Sequence, residues 1–238
     1  MLAFDIETYA DWDALTPGIQ TYLEGRDKAR GIGPDDRRAS AKTASLLPGV
    51  AQVIAIGLWG SAGERLSLSL EPDLEAELDG EGAELDGGGW TRHCFPSEAA
   101  LLRAFWARVA EVTESGRRLV SFNGRGFDGP ILTLRSAVLG VRPTVPLSGS
   151  RHSWAPHTDL VELLTFSGAR RNRYSFAYWC EVFGIESPKQ ELSGAEVGGA
   201  YERGEREAIA RYALEDARAT GQLYERLSET LVPLAEAE

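Results

Sequence analysis

The sequence has few residues of the kinds that carry disulfide and zinc chemistry. It contains two cysteines, Cys94 and Cys180, and three histidines. Their spacings do not match the paired ligands of a zinc site. Both cysteines lie among apolar residues, so we expect buried free thiols. A fold held together by disulfides is excluded, and a reducing compartment is favoured.

Long hydrophobic runs are also missing. No apolar run approaches the roughly 20 residues that a membrane-spanning helix needs, so we expect no membrane association. The first residues enter a β-type pattern directly, without the basic and apolar regions of a secretory signal peptide. We therefore expect a cytoplasmic protein.

Positive charge is scarce. The chain of 238 residues has 25 lysines and arginines against 36 acidic residues, a formal net charge of −11. Proteins that coat nucleic acid through bulk electrostatics are basic, so that class is excluded. A nuclease that holds one chain end and relies on metal ions to offset phosphate charge remains compatible. The length favours a single domain over residues 1–238.

Hydrophobic periodicity predicts a mixed α/β protein. Strands are predicted at residues 1–7, 52–59, 65–70, 90–95 and 118–122. Helices are predicted at 97–112, 130–139, 159–164, 174–184 and 205–227. Long surface loops are expected at about 10–47, with a short helix near 19–23, and at 71–89; coil is expected at 140–157 and 194–204, and a frayed tail after Pro233. Strands followed by alternating strands and helices predict a mixed β-sheet flanked by helices.

The first predicted strand carries two carboxylates on one face. Asp5 and Glu7 alternate with Phe4 and Ile6, which point to the other face. Like charges this close repel, and burial raises the cost unless a proton or a cation lies between them. Two explanations stay open here, a shared proton and a bound divalent metal. The structural alternative is an edge strand whose acidic face meets water.

Two further aspartates occupy costly positions. Asp128 follows a predicted strand and a glycine turn, where it either caps the next helix or projects over the end of the sheet. Asp216 lies on the apolar stripe of the last long helix, one turn after Tyr212. No cationic side chain on that stripe offers Asp216 a partner.

Taken together, these carboxylates indicate metal-assisted hydrolysis. Hard divalent cations prefer oxygen ligands. Two such ions would stabilise the attacking and leaving oxygens of an in-line phosphoryl displacement. Tyr212 would orient or deprotonate the attacking water. The pattern therefore predicts hydrolysis of a phosphodiester.

The order of the motifs resembles that of a known family. Phe-Asp-Ile-Glu-Thr at 4–8, Asn-x3-Phe-Asp at 123–128 and Tyr-x3-Asp at 212–216 resemble the DEDD superfamily of 3′–5′ exonucleases, which have a ribonuclease H-like fold. Tyr212 is similar to the tyrosine branch of that superfamily. The phrase at 123–132 resembles the proofreading domain of family B DNA polymerases and its stand-alone relatives. The resemblance extends from residue 1 to about 228.

The resemblance implies a role for each motif residue. Asp5, Glu7 and Asp216 would hold a first divalent metal ion, Mg²⁺ or Mn²⁺. Asp5 would bridge to a second ion, with Asp128 contributing directly or through water. The substrate-binding residues would be the following: Asn123 and Phe127 at the terminal nucleotide, and Thr8 and the Ile6 backbone at its sugar.

The expected activity is that of a metal-dependent 3′–5′ exonuclease. Its partner would be nucleic acid with a free 3′ end, with single-stranded DNA favoured over RNA, and its products nucleoside 5′-monophosphates. The alternatives are an exoribonuclease, a small-molecule phosphodiesterase and a catalytically silent domain that binds nucleic-acid ends or a protein. A silent domain has no need of four such carboxylates.

The densest basic segment has two interpretations. Arg170, Arg171 and Arg173 precede Tyr174. They would hold phosphates while the tyrosine stacks on a base. Equally, they would form a solvated loop of an acidic protein.

Overall fold

The fold is built on one mixed sheet. The computed structural model describes residues 1–29, 31, 37–73, 83–150, 153–186 and 192–236. The strands of these ranges are β1 (Leu2–Tyr9), β2 (Gln52–Gly60), β3 (Arg65–Leu70), β4 (Ala83–Asp86), β5 (Thr91–Phe95), β6 (Leu119–Ser121) and β7 (His157–Asp159). They form a seven-stranded sheet in the order β4-β5-β3-β2-β1-β6-β7. The predicted mixed sheet is confirmed.

Strand β1 lies inside the sheet. It pairs with β2 in antiparallel fashion and with β6 in parallel fashion. The β1–β6 pairing is confined to Leu2 and Ala3, so the second half of β1 leaves its β6 side open to other elements. The edge-strand interpretation of the first carboxylates is therefore wrong.

Helices cover both faces of the sheet. They are α1 (Pro17–Ala29), α2 (Arg37–Ala44), α3 (Glu98–Glu114), α4 (Asp128–Val138), α5 (Leu160–Leu164), α6 (Phe176–Phe183), α7 (Val197–Glu202), α8 (Arg206–Ser228) and α9 (Leu231–Glu236). Phe4 of β1 packs in the core that α3 lines, whereas Ala3 packs in the core shared by α5, α6 and the second half of α8. In the described part of the chain, no helix combines the length and hydrophobicity needed to span a bilayer.

Helix α8 approaches the sheet closely because β2 has a glycine beneath it. A Cβ atom at position 57 would lie 2.0 Å from the carbonyl oxygen of Ala213. Gly57 is also the register partner of Asp5 in β1. Directly opposed residues of an antiparallel pair share one face of the sheet, so Asp5 faces α8. Because Gly57 has no side chain, α8 can pack closely against the face of the sheet that carries Asp5.

The two segments expected to be surface loops contain regular structure. Residues 10–47 hold α1 and α2, and Pro17, expected to break structure, is the first residue of α1, where its missing N–H costs nothing. Residues 71–89 hold β4, which pairs with β5; residues 74–82 of that predicted loop lie outside the described ranges. The short helix expected near 19–23 is confirmed as part of α1, whereas the expectation of irregular loops is otherwise wrong for the parts described.

Other differences concern short elements. The predicted coil at 140–157 ends in β7, the predicted loop at 194–204 contains α7, and the predicted frayed tail contains α9. Strand β3 is less exposed than its alternating pattern suggests, because Ser67 and Ser69 are fully buried. The remaining predicted strands and helices are present within a few residues of their predicted bounds.

Candidate active site

Three carboxylates converge where α8 crosses β1. One oxygen from each of Asp5, Glu7 and Asp216 lies within 4.8 Å of the others. Asp5 and Glu7 are two residues apart on β1, so they emerge on the same face. Asp216 comes from α8, which Gly57 brings against that face. The sheet and one helix thus fix all three side chains on rigid elements.

Asp128 lies close to this cluster but begins a helix of its own. It is the first residue of α4 and is 3% exposed. The N-cap residue of α4 is Phe127, which makes no side-chain cap hydrogen bond, so the interpretation of Asp128 as the N-cap is wrong. Instead, the Asp128 carboxyl lies next to the backbone of Ile6, whose N–H dipole partly offsets the rise that burial causes in the pKa of Asp128. This contact ties α4 to the open side of β1.

Burial and mutual repulsion raise the pKa values of these carboxyls. The pKa of Asp5 lies well above its usual range because the group is buried and because Asp216, Asp128 and Glu7 surround it. The pKa of Glu7 is likewise raised, by burial and then by Asp216 and Asp128. Burial is also the largest cause of the rise in the pKa of Asp128, to about 7. Without a cation, the cluster therefore retains protons at neutral pH.

The donor set fits a hard divalent cation. Within the described ranges, no lysine, arginine or histidine forms an ion pair with Asp5, Glu7 or Asp128. Charge balance must then come from protons or from a metal ion. Carboxylate oxygens in this number and proximity are typical ligands of Mg²⁺ and Mn²⁺.

Tyr212 stands beside the cluster on α8. It is 8% exposed, and its hydroxyl hydrogen-bonds the side chain of Asp216 one turn later. Burial raises the pKa of Tyr212, and the negative charges of Asp216, Glu7 and Asp5 raise it further. The phenol is therefore protonated at neutral pH and acts as a hydrogen-bond donor.

The loop that leads to Asp128 is held by Asp159, the last residue of β7. One carboxylate oxygen of Asp159 accepts the backbone N–H of Asn123 at 3.0 Å, and the other accepts that of Arg125 at 2.9 Å. The first oxygen also accepts the N–H of Val161 at 2.8 Å, so Asp159 is the N-cap of α5. One buried carboxylate thus fixes both the loop and the next helix.

The buried side chain of His157 supports the same loop through a hydrogen bond with Ser121. Nδ1 of His157 lies 2.7 Å from the carbonyl oxygen of Leu147, which can only accept, so the proton resides on Nδ1. Nε2 then accepts the hydroxyl hydrogen of Ser121 at 2.7 Å. Burial lowers the pKa of His157 to about 4, which keeps the ring neutral. A Cβ atom at Gly124 would lie 2.1 Å from the Ser121 hydroxyl, so the loop requires glycine there.

The residues predicted to bind substrate lie around the cluster. Asn123 adopts a positive φ of 66°, and its side-chain oxygen accepts from Arg173 at 3.5 Å. Phe127 is partly buried against the core. The Ile6 side chain is buried, whereas its backbone contacts Asp128. The Thr8 hydroxyl donates to the carbonyl oxygen of Ser45 at 2.6 Å, which joins β1 to the segment after α2.

A cleft of about 800 Å³ lies at the C-terminal end of β1, and its lining does not include Asp5, Glu7, Asp128 or Asp216. Thr8 and Tyr9 of β1 line one wall, and the glycine-rich segment 194–203 lines another. Position 194 also adjoins the site, since a Cβ atom there would lie 3.9 Å from the Tyr212 hydroxyl. Trp12 and Lys42, from the segment that contains α1 and α2, complete the lining.

Sequence reasoning missed the supporting residues of the site. Asp159 begins a predicted helix but was assigned no role in the site, and neither were His157 and Ser121. Their contacts join β6 and β7, and β7 is only three residues long. The one signal in the sequence was that Asp159 follows a histidine and a threonine and precedes an apolar run, which places a polar group at a strand end.

Comparisons with known proteins agree with the fold and the motifs. A family model described as "Predicted 3'-5' exonuclease related to the exonuclease domain of PolB" matches residues 92–237. The match covers more than half of the chain, and the chain belongs to this family. Tyr212, Asp216 and Asp128 lie inside the matched range, whereas Asp5 and Glu7 precede it.

Two similar proteins are DNA polymerases, and this chain spans only a part of each. It is 33% identical over 124 residues to a DNA polymerase of Desulfurococcus sp. (strain Tok), an alignment that covers 44% of this chain and 15% of the polymerase. The structure of the family B DNA polymerase of Pyrobaculum calidifontis matches with a TM-score of 0.60 at 21% identity, over 98% of this chain and 25% of the polymerase. The fold is the ribonuclease H-like fold of the family B polymerase exonuclease domain.

Proposed function

We propose that this chain is a metal-dependent 3′–5′ exonuclease that acts on single-stranded DNA. The observation that carries the proposal is the convergence of Asp5, Glu7 and Asp216 within 4.8 Å, in a member of a family of predicted 3′–5′ exonucleases. A buried cluster of like charges is costly to keep unless it binds a cation. The two similar proteins named above are DNA polymerases, which favours DNA over RNA.

The carboxylates would hold the metal ions. Asp5, Glu7 and Asp216 would bind one Mg²⁺ or Mn²⁺, and Asp5 and Asp128 would contribute to a second. When bound, such ions stabilise charge on the phosphate oxygens and lower the pKa of coordinated water. In the hydrolysis, water adds to the terminal phosphorus and the bond from phosphorus to the 3′ oxygen breaks. The products are a nucleoside 5′-monophosphate and a strand with a new 3′ hydroxyl.

Tyr212 would orient the attacking water. Its pKa is raised, so of the two roles predicted for it, donation of a hydrogen bond is favoured over removal of a proton. The proton of the water would leave to solvent. Fixed geometry of water and phosphorus is the main contribution of such a residue.

The cleft beside Thr8 would take the terminal nucleoside. It has a polar wall from β1 and a small-residue wall from 194–203, which suits a sugar and a flat base. Asn123 and Phe127 would contact the same nucleotide from the loop on the other side of the cluster. Thr8 keeps its oxygen lone pairs available after donating to Ser45, so it would accept from the terminal sugar.

A direct test is the degradation of labelled strands. A 5′-labelled 20-nucleotide single-stranded DNA and the RNA of the same sequence are incubated with Mn²⁺ or Mg²⁺ and resolved on a sequencing gel. We expect a ladder that shortens from the 3′ end of the DNA and is lost in Asp5→Asn. A ladder on RNA alone would identify an exoribonuclease. No product on either strand from a folded protein would overturn the proposal in favour of a binding domain.

A further inference from the structure

A surface of stacked aromatic rings lies exposed between α5 and α6. Phe166, Tyr178 and Tyr174 are 60%, 44% and 37% exposed. The rings of Tyr174 and Tyr178 are stacked, with centroids 4.4 Å apart and planes at 21°. Trp179 meets both rings edge-on, at 5.8 and 5.2 Å. The tryptophan therefore holds the stack in place, with aromatic surface turned to solvent.

Phe166 is exposed by an uncommon backbone conformation. Its φ is 52°, and that of the next residue, Ser167, is 54°. Bulky residues rarely adopt this region, and such outliers concentrate at functional surfaces. The turn is secured by hydrogen bonds from Ser167 to the Glu162 carbonyl at 2.8 Å and from Arg170 to the Thr165 carbonyl at 3.0 Å. The backbone thus holds an apolar ring in water.

Arginines surround the aromatic rings. The Arg170 guanidinium lies 5.9 Å from the centre of the Tyr174 ring. Arg171 is exposed, and within the described ranges neither of these two arginines forms an ion pair. Arg173 completes the set. The chain has a net charge of −11, so this local positive charge contrasts with the rest of the protein and would attract an anionic partner. We name Phe166, Arg170, Arg171, Arg173, Tyr174 and Tyr178 the aromatic–basic ridge.

The ridge adjoins the loop of the candidate active site. One guanidinium nitrogen of Arg173 donates to the Asn123 side-chain oxygen at 3.5 Å, and another lies 3.7 Å from a carboxylate oxygen of Glu162. Beneath this contact, the ring of Phe122 packs on that of Phe176 at 4.8 Å. A ligand that contacts Asn123 at one end can therefore continue onto the ridge.

We propose that the aromatic–basic ridge binds single-stranded nucleic acid upstream of the 3′ end. The inference rests on the proposed function for the position of that end. Exposed rings stack on unpaired bases, and arginines contact the intervening phosphates. In a duplex, the bases stack on one another and their faces cannot contact exposed side chains. The ridge would therefore bind single strands in preference to duplexes. A protein is the competing partner for this surface. The combination of exposed aromatic rings with local positive charge favours nucleic acid over a protein.

The test measures binding separately from hydrolysis. Binding of 5′-fluorescein-labelled (dT)16 is followed by fluorescence anisotropy in EDTA, in an Asp5→Asn background that cannot degrade it. We expect Arg170→Ala/Arg171→Ala to raise Kd at least roughly tenfold, and Tyr178→Ala to raise it by a similar factor. Two lost phosphate contacts should also make the slope of log K against log salt shallower by about 1.4. Thermal denaturation verifies that each variant is folded.

The matched control removes two arginines from a different surface of the protein. Arg103 and Arg108 lie on α3, which packs in the core on the other side of the sheet. We expect Arg103→Ala/Arg108→Ala to leave Kd within about twofold of the parent. Equal Kd values for the arginine pair of the ridge and this control would overturn the inference. Ridge-dependent binding by a wild type that degrades no strand would retain the inference and reject the proposed function.

Discussion

The carboxylate of Asp159 accepts the backbone N–H of Asn123 at 3.0 Å, although the two residues are 36 positions apart in the chain. The same carboxylate accepts the N–H of Arg125. Asn123 and Asp128 are parts of one motif, so a residue outside the motif sets the conformation of the loop that carries it. Asp159 is a positioning residue by this geometry.

The first prediction concerns Asp159→Asn. The amide keeps the size of the side chain but turns an NH₂ group toward backbone donors, which displaces the loop. We expect kcat on single-stranded DNA to fall about 100-fold, because small displacements of reacting groups are costly. Affinity for the first Mn²⁺, measured by calorimetry, should stay within about threefold, since Asp5, Glu7 and Asp216 lie outside the loop that Asp159 holds.

Asp86→Asn is the control for this change. Asp86 is exposed and also accepts a backbone N–H, that of Gly88, at 2.8 Å. We expect wild-type kcat from this variant. A wild-type kcat for Asp159→Asn as well would show that the loop does not depend on the Asp159 carboxylate.

Gly57→Ala should separate α8 from the sheet. The added methyl carbon would lie 2.0 Å from the Ala213 carbonyl oxygen, a distance that requires movement of the helix backbone. We expect a loss of about 3 kcal/mol in the free energy of unfolding, measured by urea denaturation. Mn²⁺ affinity should fall as well, because Asp216 moves with α8.

The matched change is Gly25→Ala on α1. A Cβ atom there has no neighbour within 4 Å. We expect stabilisation by about 0.5–1 kcal/mol, the usual gain of alanine over glycine within a helix. If Gly57→Ala proved as harmless as Gly25→Ala, the close approach of α8 to β2 would be refuted.

Several elements could be predicted from the sequence because their patterns are long or regular. Strand β2 is a continuous apolar run, β3 alternates, and helices α3 and α8 carry apolar stripes with helical spacing; Ser97 caps α3 as its position suggests. The convergence of β1 and α8 was expected from the placement of three carboxylates at costly positions. The positions of these carboxylates in the strand and helix patterns were therefore sufficient to predict the acidic cluster.

The remaining elements depend on contacts that the sequence does not display. Strand β7 has three residues and exists by pairing with β6. Helix α7 contains two glycines, yet Tyr201 packs on the ring of Tyr9 at 4.7 Å, and this tertiary contact outweighs poor helix propensity. The burial of Ser67 follows from its position within the covered sheet, where an alternating pattern predicts exposure.

Tyr212→Phe isolates the hydroxyl beside the cluster. We expect kcat to fall about 100-fold while KM and Mn²⁺ affinity change little, because the ring still fills its buried position. Rates are compared under single-turnover conditions to exclude product release. A wild-type rate would remove Tyr212 from the mechanism. A large loss of metal affinity would instead assign the residue to support of Asp216.

Stability without metal should fall as the pH rises. The folded-state pKa of Asp128, about 7, lies above its ordinary value of 3.8, so the folded protein binds the proton more tightly than the unfolded chain. The stabilisation is complete below the unfolded value and is lost as the pH rises toward 7. The raised pKa values of Asp5 and Glu7 act in the same direction. We expect Tm in EDTA to decrease from pH 5 to pH 8.

Bound metal and the isosteric substitution Asp5→Asn should both weaken the dependence of Tm on pH. Saturating Mn²⁺ should raise Tm more at pH 8 than at pH 5.5, because the ion competes with protons for the same oxygens. Asp5→Asn removes one of the repelling charges, so we expect it to raise Tm in EDTA at pH 8 while abolishing activity. A Tm in EDTA that rises through this pH range would contradict the assignment of raised carboxyl pKa values.

The distance along the chain between Asp5 and Asp216 also determines when the site comes into existence. During synthesis, roughly two hundred residues are added between the two, and contacts of such long sequence separation form late. Until α8 leaves the ribosome, β1 presents two carboxylates with no third, and the face of the sheet around Gly57 is bare. An incomplete nascent chain therefore has no assembled acidic cluster, and it has an apolar surface that chaperones recognise. The cluster can therefore assemble only after synthesis has passed Asp216.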